Sequence, residues 1–167
     1  SAMLGYFNQQ LFEGADLALA FAPVNLASAA NAGQWLNTRG YHRFAVCLLR
    51  GAGTAADVST ITVLQGTTSS GGTIKTLATG RRRYKTDMTS AAGDTWVIDD
   101  TTSPANTYAT PAAKGDKKLM IAMDYESQAL DDANGFQWIQ PSVDHAANAV
   151  IGVCFVLFYA TRHTQLT

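Results

Sequence analysis

The chain has 167 residues, room for one domain with a proper core or at most two very small ones. Hydrophobic residues make up 47% and charged residues 15%, which excludes a disordered chain, since disorder needs low hydrophobicity and high charge. The formal net charge of −1 argues against a dedicated nucleic-acid binder, whose affinity rests on a basic excess.

In chain order, Ser1-Ala2 ahead of Met3 reads as a tag-cleavage scar, and the segment to about residue 16 as an extended arm. Residues 17–32 are Ala/Leu-rich and end in small residues, like the late part of a signal peptide. A signal peptide needs a basic start, however, and the first Lys or Arg is Arg39. Residues 26–36 are expected to hold at most one turn of helix. Tyr41–Leu49 alternates, with Phe44, Val46 and Leu48 on one side and Ala45, Cys47 and Leu49 on the other. Apolar residues on both faces predict a strand covered on both sides. Gly51-Ala52-Gly53 ends it, β-branched Val58–Leu64 follows, and Thr67–Gly72 reads as a polar loop.

Further strands are expected at Ile74–Ala78, Arg81–Met88, Thr95–Asp99, Lys118–Tyr125, Phe136–Val143 and Val150–Ala160, with a second helical turn within 127–133. The apolar run 146–160 falls short of the roughly 20 residues of a membrane helix. Its Val, Ile, Phe and Tyr content makes it a buried strand, so no membrane partner is expected. Short strands separated by Gly, Ser, Thr and Asn turns predict an all-β, antiparallel sandwich or barrel, in one domain spanning 1–167.

Chemistry-bearing motifs are sparse. Gly51-Ala52-Gly53-Thr54-Ala55-Ala56 has the spacing of a dinucleotide-binding turn, but a β-branched stretch follows it where that fold needs a helix. A turn is the better reading. His42, His145 and His163 lie beside no nucleophile signature, so structural or exposed histidines are expected, and no catalytic residue. Asp131-Asp132-Ala133-Asn134-Gly135 has the flavour of a calcium loop but lacks an EF-hand's ligand spacing. An ordinary Asn-Gly tight turn is the better reading. Cys47 and Cys154 both sit in apolar runs and read as buried thiols. No cofactor and no metal are expected.

Trp96 and Trp138 fall in strand patterns and are expected in the core, whereas Trp35 is the candidate exposed aromatic. Arg81, Arg83 and Lys85 share one face of a predicted strand. Such a run usually guards a sheet edge or meets an acidic protein surface, and nucleic acid ranks last. Basic residues concentrate between Lys75 and Lys85, and acidic residues (Asp131 and Asp132 among them) between Asp124 and Asp144. Either two strands pair their charges within one molecule, or one subunit's basic face meets the next subunit's acidic face, a trimer being the first guess. On that second view Trp35, Arg81, Arg83, Lys85, Asp131 and Asp132 are the candidate oligomer or partner interface.

Arg50-Gly51-Ala52-Gly53-Thr54-Ala55-Ala56-Asp57, followed by Thr60-Ile61-Thr62-Val63-Leu64-Gln65, resembles a block in small virion proteins of tailed phages and prophages. Leu130-Asp131-Asp132-Ala133-Asn134-Gly135-Phe136 and the closing Phe158-Tyr159-Ala160-Thr161-Arg162 resemble the same group, with His163 where its pattern has Tyr. The resemblance implies a jelly-roll-like β-sandwich in a non-enzymatic structural role, capsid decoration or head-associated. It implies contact with the major capsid protein or another virion protein, assembly in the bacterial host cytoplasm, and residence in the particle. The alternative from another class is a carbohydrate-binding, lectin-like sandwich assisted by calcium.

Overall fold

The computed structural model describes residues 14–87, 95–100, 105–145 and 148–161. Through them run β1 (Asp16–Asn25), β2 (Asn31–Ala32), β3 (Leu36–Asn37), β4 (Tyr41–Arg50), β5 (Ser59–Thr68) and β6 (Gly71–Leu77). These are followed by β7 (Arg81–Thr86), β8 (Val97–Ile98), β9 (Thr107–Ala109), β10 (Leu119–Glu126), β11 (Trp138–His145) and β12 (Ile151–Thr161). A front sheet has the order β1-β12-β4-β10-β7-β8. A back sheet has the order β2-β11-β5-β6, with β3 also beside β11 and β9 beside β5.

The wrapping follows from that order. Taking β2 and β3 as halves of one strand and setting aside the additions β7, β8 and β9, eight strands remain. The first pairs with the last and the second with the seventh, which is the jelly-roll arrangement of an antiparallel sandwich. The split between β2 and β3 has a local cause. Pro141 sits mid-strand in β11 with no N–H to give. Opposite it the chain leaves the ladder, and the Gly33 N–H donates to the Pro141 carbonyl at 2.8 Å.

The core lies between the sheets. Phe44, Val46, Leu48, Ile121, Met123 and Val156 from the front meet Ile61, Val63, Ile139 and Val143 from the back, all at 0–1% exposure. Phe44 stacks on Tyr125 with ring centroids 4.9 Å apart. Cys47 and Cys154 are buried free thiols on opposite faces of the front sheet, which prevents their pairing. Burial pushes the Cys47 thiol up to about 12.

β4 and β12 are internal strands of the front sheet, as their two apolar faces require. Four expectations change. β1 is a ten-residue strand where the composition suggested no element, and 26–36 contains strand and turn rather than helix. Trp96 is 42% exposed, because it precedes the two-residue edge strand β8 rather than lying inside a sheet. Trp138 is half-buried on the outer face of β11, out of step with the buried Ile139, and the core of β12 is carried by Cys154, Val156 and Phe158. The helical turn expected within 127–133 is present as short 3-10 turns at Ser127–Ala129 and Asp132–Asn134.

Candidate functional site

A buried polar cluster closes one end of the sandwich. Arg50 ends β4 on the same parity as Phe44, Val46 and Leu48, so the strand carries its guanidinium inward, to 1% exposure. Nη1 donates to Ser59 Oγ at 3.0 Å and Nη2 to the Gly115 carbonyl. Ser59 and His145 face each other across β5 and β11, with Ser59 Oγ 2.9 Å from His145 Nδ1. Arg50 can only donate, so Ser59 Oγ accepts from it and shares its remaining hydrogen-bonding capacity with Nδ1. His145 Nε2 faces Asp57 Oδ2 at 3.8 Å.

Asp57 in turn closes the loop after β4. The Thr54 N–H donates to its Oδ2 at 2.8 Å and Asn148 Nδ2 to its Oδ1 at 3.1 Å. The Thr54 N–H holds the Asp57 carboxyl below the usual carboxylate range against the opposing cost of burial, and Asn148 adds to the effect. Two glycines let these loops touch. A Cβ on Gly53 would lie 2.6 Å from Asp57 Oδ2, and one on Gly115 would lie 2.4 Å from the Asp57 nitrogen. The Gly-Ala-Gly stretch is thus a packing corner between the β4–β5 and β9–β10 connections.

Ser, His and Asp together invite comparison with a hydrolytic triad. Here Ser59 is 0% exposed, and His145 and Asp57 are each 3% exposed, so in this conformation no substrate reaches the hydroxyl. Its hydrogen bonds tie β4, β5 and β11 together. Among the described residues no group of three or more His, Cys, Asp or Glu side chains is placed to hold a metal ion. In the acidic loop, Asn134 Nδ2 donates to both carboxylate oxygens of Asp131 at 2.9 Å, and Lys75 pairs with the same group. Gly135 follows at φ +82°, as an Asn-Gly turn requires.

The six interface candidates are not brought into one site. Trp35, between β2 and β3, is half-buried and lies against its own chain's β5–β6 hairpin. A Cβ on Gly66 would approach its ring to 2.8 Å. Arg81, Arg83 and Lys85 do line up on the outer face of β7, in register with Asp124, Ala122 and Met120 of β10. Arg81 pairs with Asp100 at 3.1 Å and Arg83 with Asp124 at 3.2 Å. Asp131 and Asp132 lie in the loop ahead of β11, where Gln137 Nε2 is 3.4 Å from Asp132 Oδ1. The opposite charges seen as separate stretches of sequence therefore meet within one molecule. Of the histidines, His42 is exposed and His163 lies outside the described residues.

The larger feature is the outer face of the front sheet. Residues Leu19, Phe155, Cys47, Ala122 and Arg83 form one transverse row across β1, β12, β4, β10 and β7. The row is tall at Leu19 and Phe155, low at Cys47 and Ala122, and tall again at Arg83. A groove of about 480 Å³ runs over the low floor of Ala45, Cys47 and Ala122, between Phe155 and Leu157 on one side and Trp96 on the other. Leu17 and Leu19 at the margin are 50% and 45% exposed, and Ile151 at the far end is 58% exposed. Three polar side chains on this face are linked to one another. Arg43 Nε donates to the Tyr159 hydroxyl at 3.2 Å, and that hydroxyl donates to Asp124 at 2.9 Å.

Sequence reading missed Arg50, Asp57 and Ser59 as a unit. The available signal was parity, since a charged residue in step with three core residues must find buried partners. No family model and no curated protein matches the sequence. Among solved structures, the chain is similar to the SPBc2 prophage-derived protein YomS, at 8% identity over 86% of this chain and 94% of that one, with a TM-score of 0.35. It is also similar to a protein in the structure of infectious bursal disease virus Gt strain, at 10% identity over 89% of this chain and 42% of that one, with a TM-score of 0.25.

Proposed function

We propose that this protein is a non-enzymatic structural component of a phage or phage-like particle, a capsid decoration or head-associated protein acting through protein–protein contact. The observation that carries the reading is the apolar outer face of the front sheet. Sheets that face water on one side alternate apolar-in and polar-out. The front sheet instead presents Phe155, Leu157, Ala45, Cys47 and Ala122 outward, which suits contact with another protein. The virion setting is supported by the resemblance of the Arg50–Asp57 block. In this chain both ends of that block, Arg50 and Asp57, serve the corner that orients β4 against β5.

The test is co-sedimentation with purified particles of the source phage or prophage, with the bound fraction quantified by mass spectrometry. Wild type is expected with the particles. Leu157→Glu, on the outer front face, should lose the association, and Ile74→Glu, on the outer back face, should keep it. Wild-type protein absent from particles would defeat the reading.

A further inference from the structure

We infer that the outer face of the front sheet is a two-fold interface, covered by the same face of a second copy of this chain. This deepens the particle reading by naming what the face meets.

Size comes first. Five strands of about eight residues, with strands about 4.8 Å apart and a rise of about 3.4 Å per residue, make a face of about 650 Å² in projection. Two such faces bury about 1,300 Å² together, within the range of stable protein interfaces and above that of incidental contacts. The centre of the face, Ala45, Cys47, Ala122, Phe155 and Leu157, is apolar as in contacts between identical subunits, and Arg81, Arg83 and Lys85 of β7 form a charged margin.

Shape then selects a copy of itself. β4 is the middle strand of the five, with β12 on one side and β10 on the other. The β12 side is raised by Phe155 and Leu157, and the β10 side is lowered by Ala122. A two-fold axis running along β4 keeps each transverse row at its own level and lays β12 of one copy over β10 of the other. Phe155 then descends onto Ala122 of the partner subunit, and the reverse contact forms by symmetry, as an isologous interface requires. The small floor residues Ala45 and Cys47 lie on the axis, where the two sheets approach most closely. Charge is compatible with this placement, because Asp124 enters the interface already paired with Arg83 and bonded by Tyr159. No unpaired carboxylate has to be buried.

The test is sedimentation velocity on the full chain from about 1 to about 100 μM, with circular dichroism and a thermal melt on every variant. Wild type should sediment as a dimer at the upper concentrations. Leu157→Glu sets a carboxylate over Asp124 of the partner subunit and should weaken dimerisation at least about 100-fold. Ala122→Phe fills the valley that receives Phe155 and should do the same while leaving the core untouched. It keeps the proposal testable if the first variant folds poorly. Wild type that remains monomeric, forms trimers, or dimerises equally well with Ala122→Phe would overturn the inference. A monomer that binds particles through Leu157 would overturn the dimer alone and leave the particle role standing, with a different virion protein on the face.

Discussion

The two sheets share a core but treat their outer faces differently. In the back sheet, β11 alternates cleanly, with Ile139, Val143 and His145 buried and Gln140, Ser142 and Asp144 turned outward. β5 begins the same way, with Ile61 and Val63 inside and Thr60 and Thr62 outside, before Leu64 turns an apolar side chain outward. In the front sheet, Phe44, Val46 and Leu48 point inward, yet their neighbours Ala45 and Cys47 are also apolar and only 6% and 5% exposed. The outer back face is polar along the middle of β5 and β11 and apolar only toward Leu64, Trp138 and Ile74. The outer front face is apolar along the middle of the sheet, at Ala45, Cys47, Ala122, Phe155 and Leu157.

That contrast can be broken from the inside outward. The largest effect is expected where both sheets depend on the same atoms. Val156→Asp buries an unpaired carboxylate in the shared core, and a loss of more than about 4 kcal/mol is expected, read as failure to fold or loss of the cooperative urea transition. Arg50→Ala removes the cation that binds Ser59 and the Gly115 carbonyl beside Asp57. Stranding those groups should cost about 3–5 kcal/mol in the same measurement.

Smaller effects sharpen the back-sheet side. Gly66→Ala drives a methyl into the Trp35 ring, so a loss of about 1–3 kcal/mol is expected, accompanied by a change in tryptophan emission. Asp57 provides a pH signature. Its carboxyl is held below its unfolded value of about 3.9, so its contribution is complete above that pH and lost as pH falls through the lower folded value. Asp57→Asn should therefore be less stable than wild type at neutral pH, with the gap closing below about pH 3.9 in acid unfolding curves. The smallest effect belongs to Ile74→Glu on the outer face of β6. Ile74 is 48% exposed, and its replacement should change stability by no more than about 0.5 kcal/mol.

How far the sequence revealed this architecture depended on what each strand had to satisfy. β4 and β12 were readable because both of their faces are apolar, a pattern no solvated hairpin produces. β1 escaped because Leu17, Ala18, Leu19 and Ala20 carry none of the β-branched residues that mark strands. Its strand character comes from pairing with β12, more than a hundred residues away. Trp96 misled because its neighbours Thr95, Val97 and Ile98 look like a core strand, whereas β8 is a two-residue edge. The Arg50–Ser59–His145–Asp57 cluster was out of reach for a different reason. Spacing places Arg50 and Asp57 near each other, but only the register of β5 against β11 delivers His145 to Ser59.

The pairing of the first strand with the last also governs when the outer front face comes into being. Leu17 and Leu19 belong to β1, Ala45 and Cys47 to β4, and Phe155 and Leu157 to β12, which inserts between the other two. During synthesis, β1 and β4 emerge long before the strand that joins them. Until residues 151–161 leave the ribosome, the transverse rows have no middle. Contacts of such long sequence separation form late in folding. The surface that would bind a partner is therefore assembled by the closing step of folding. An incomplete chain cannot present the face on which the proposed dimer depends.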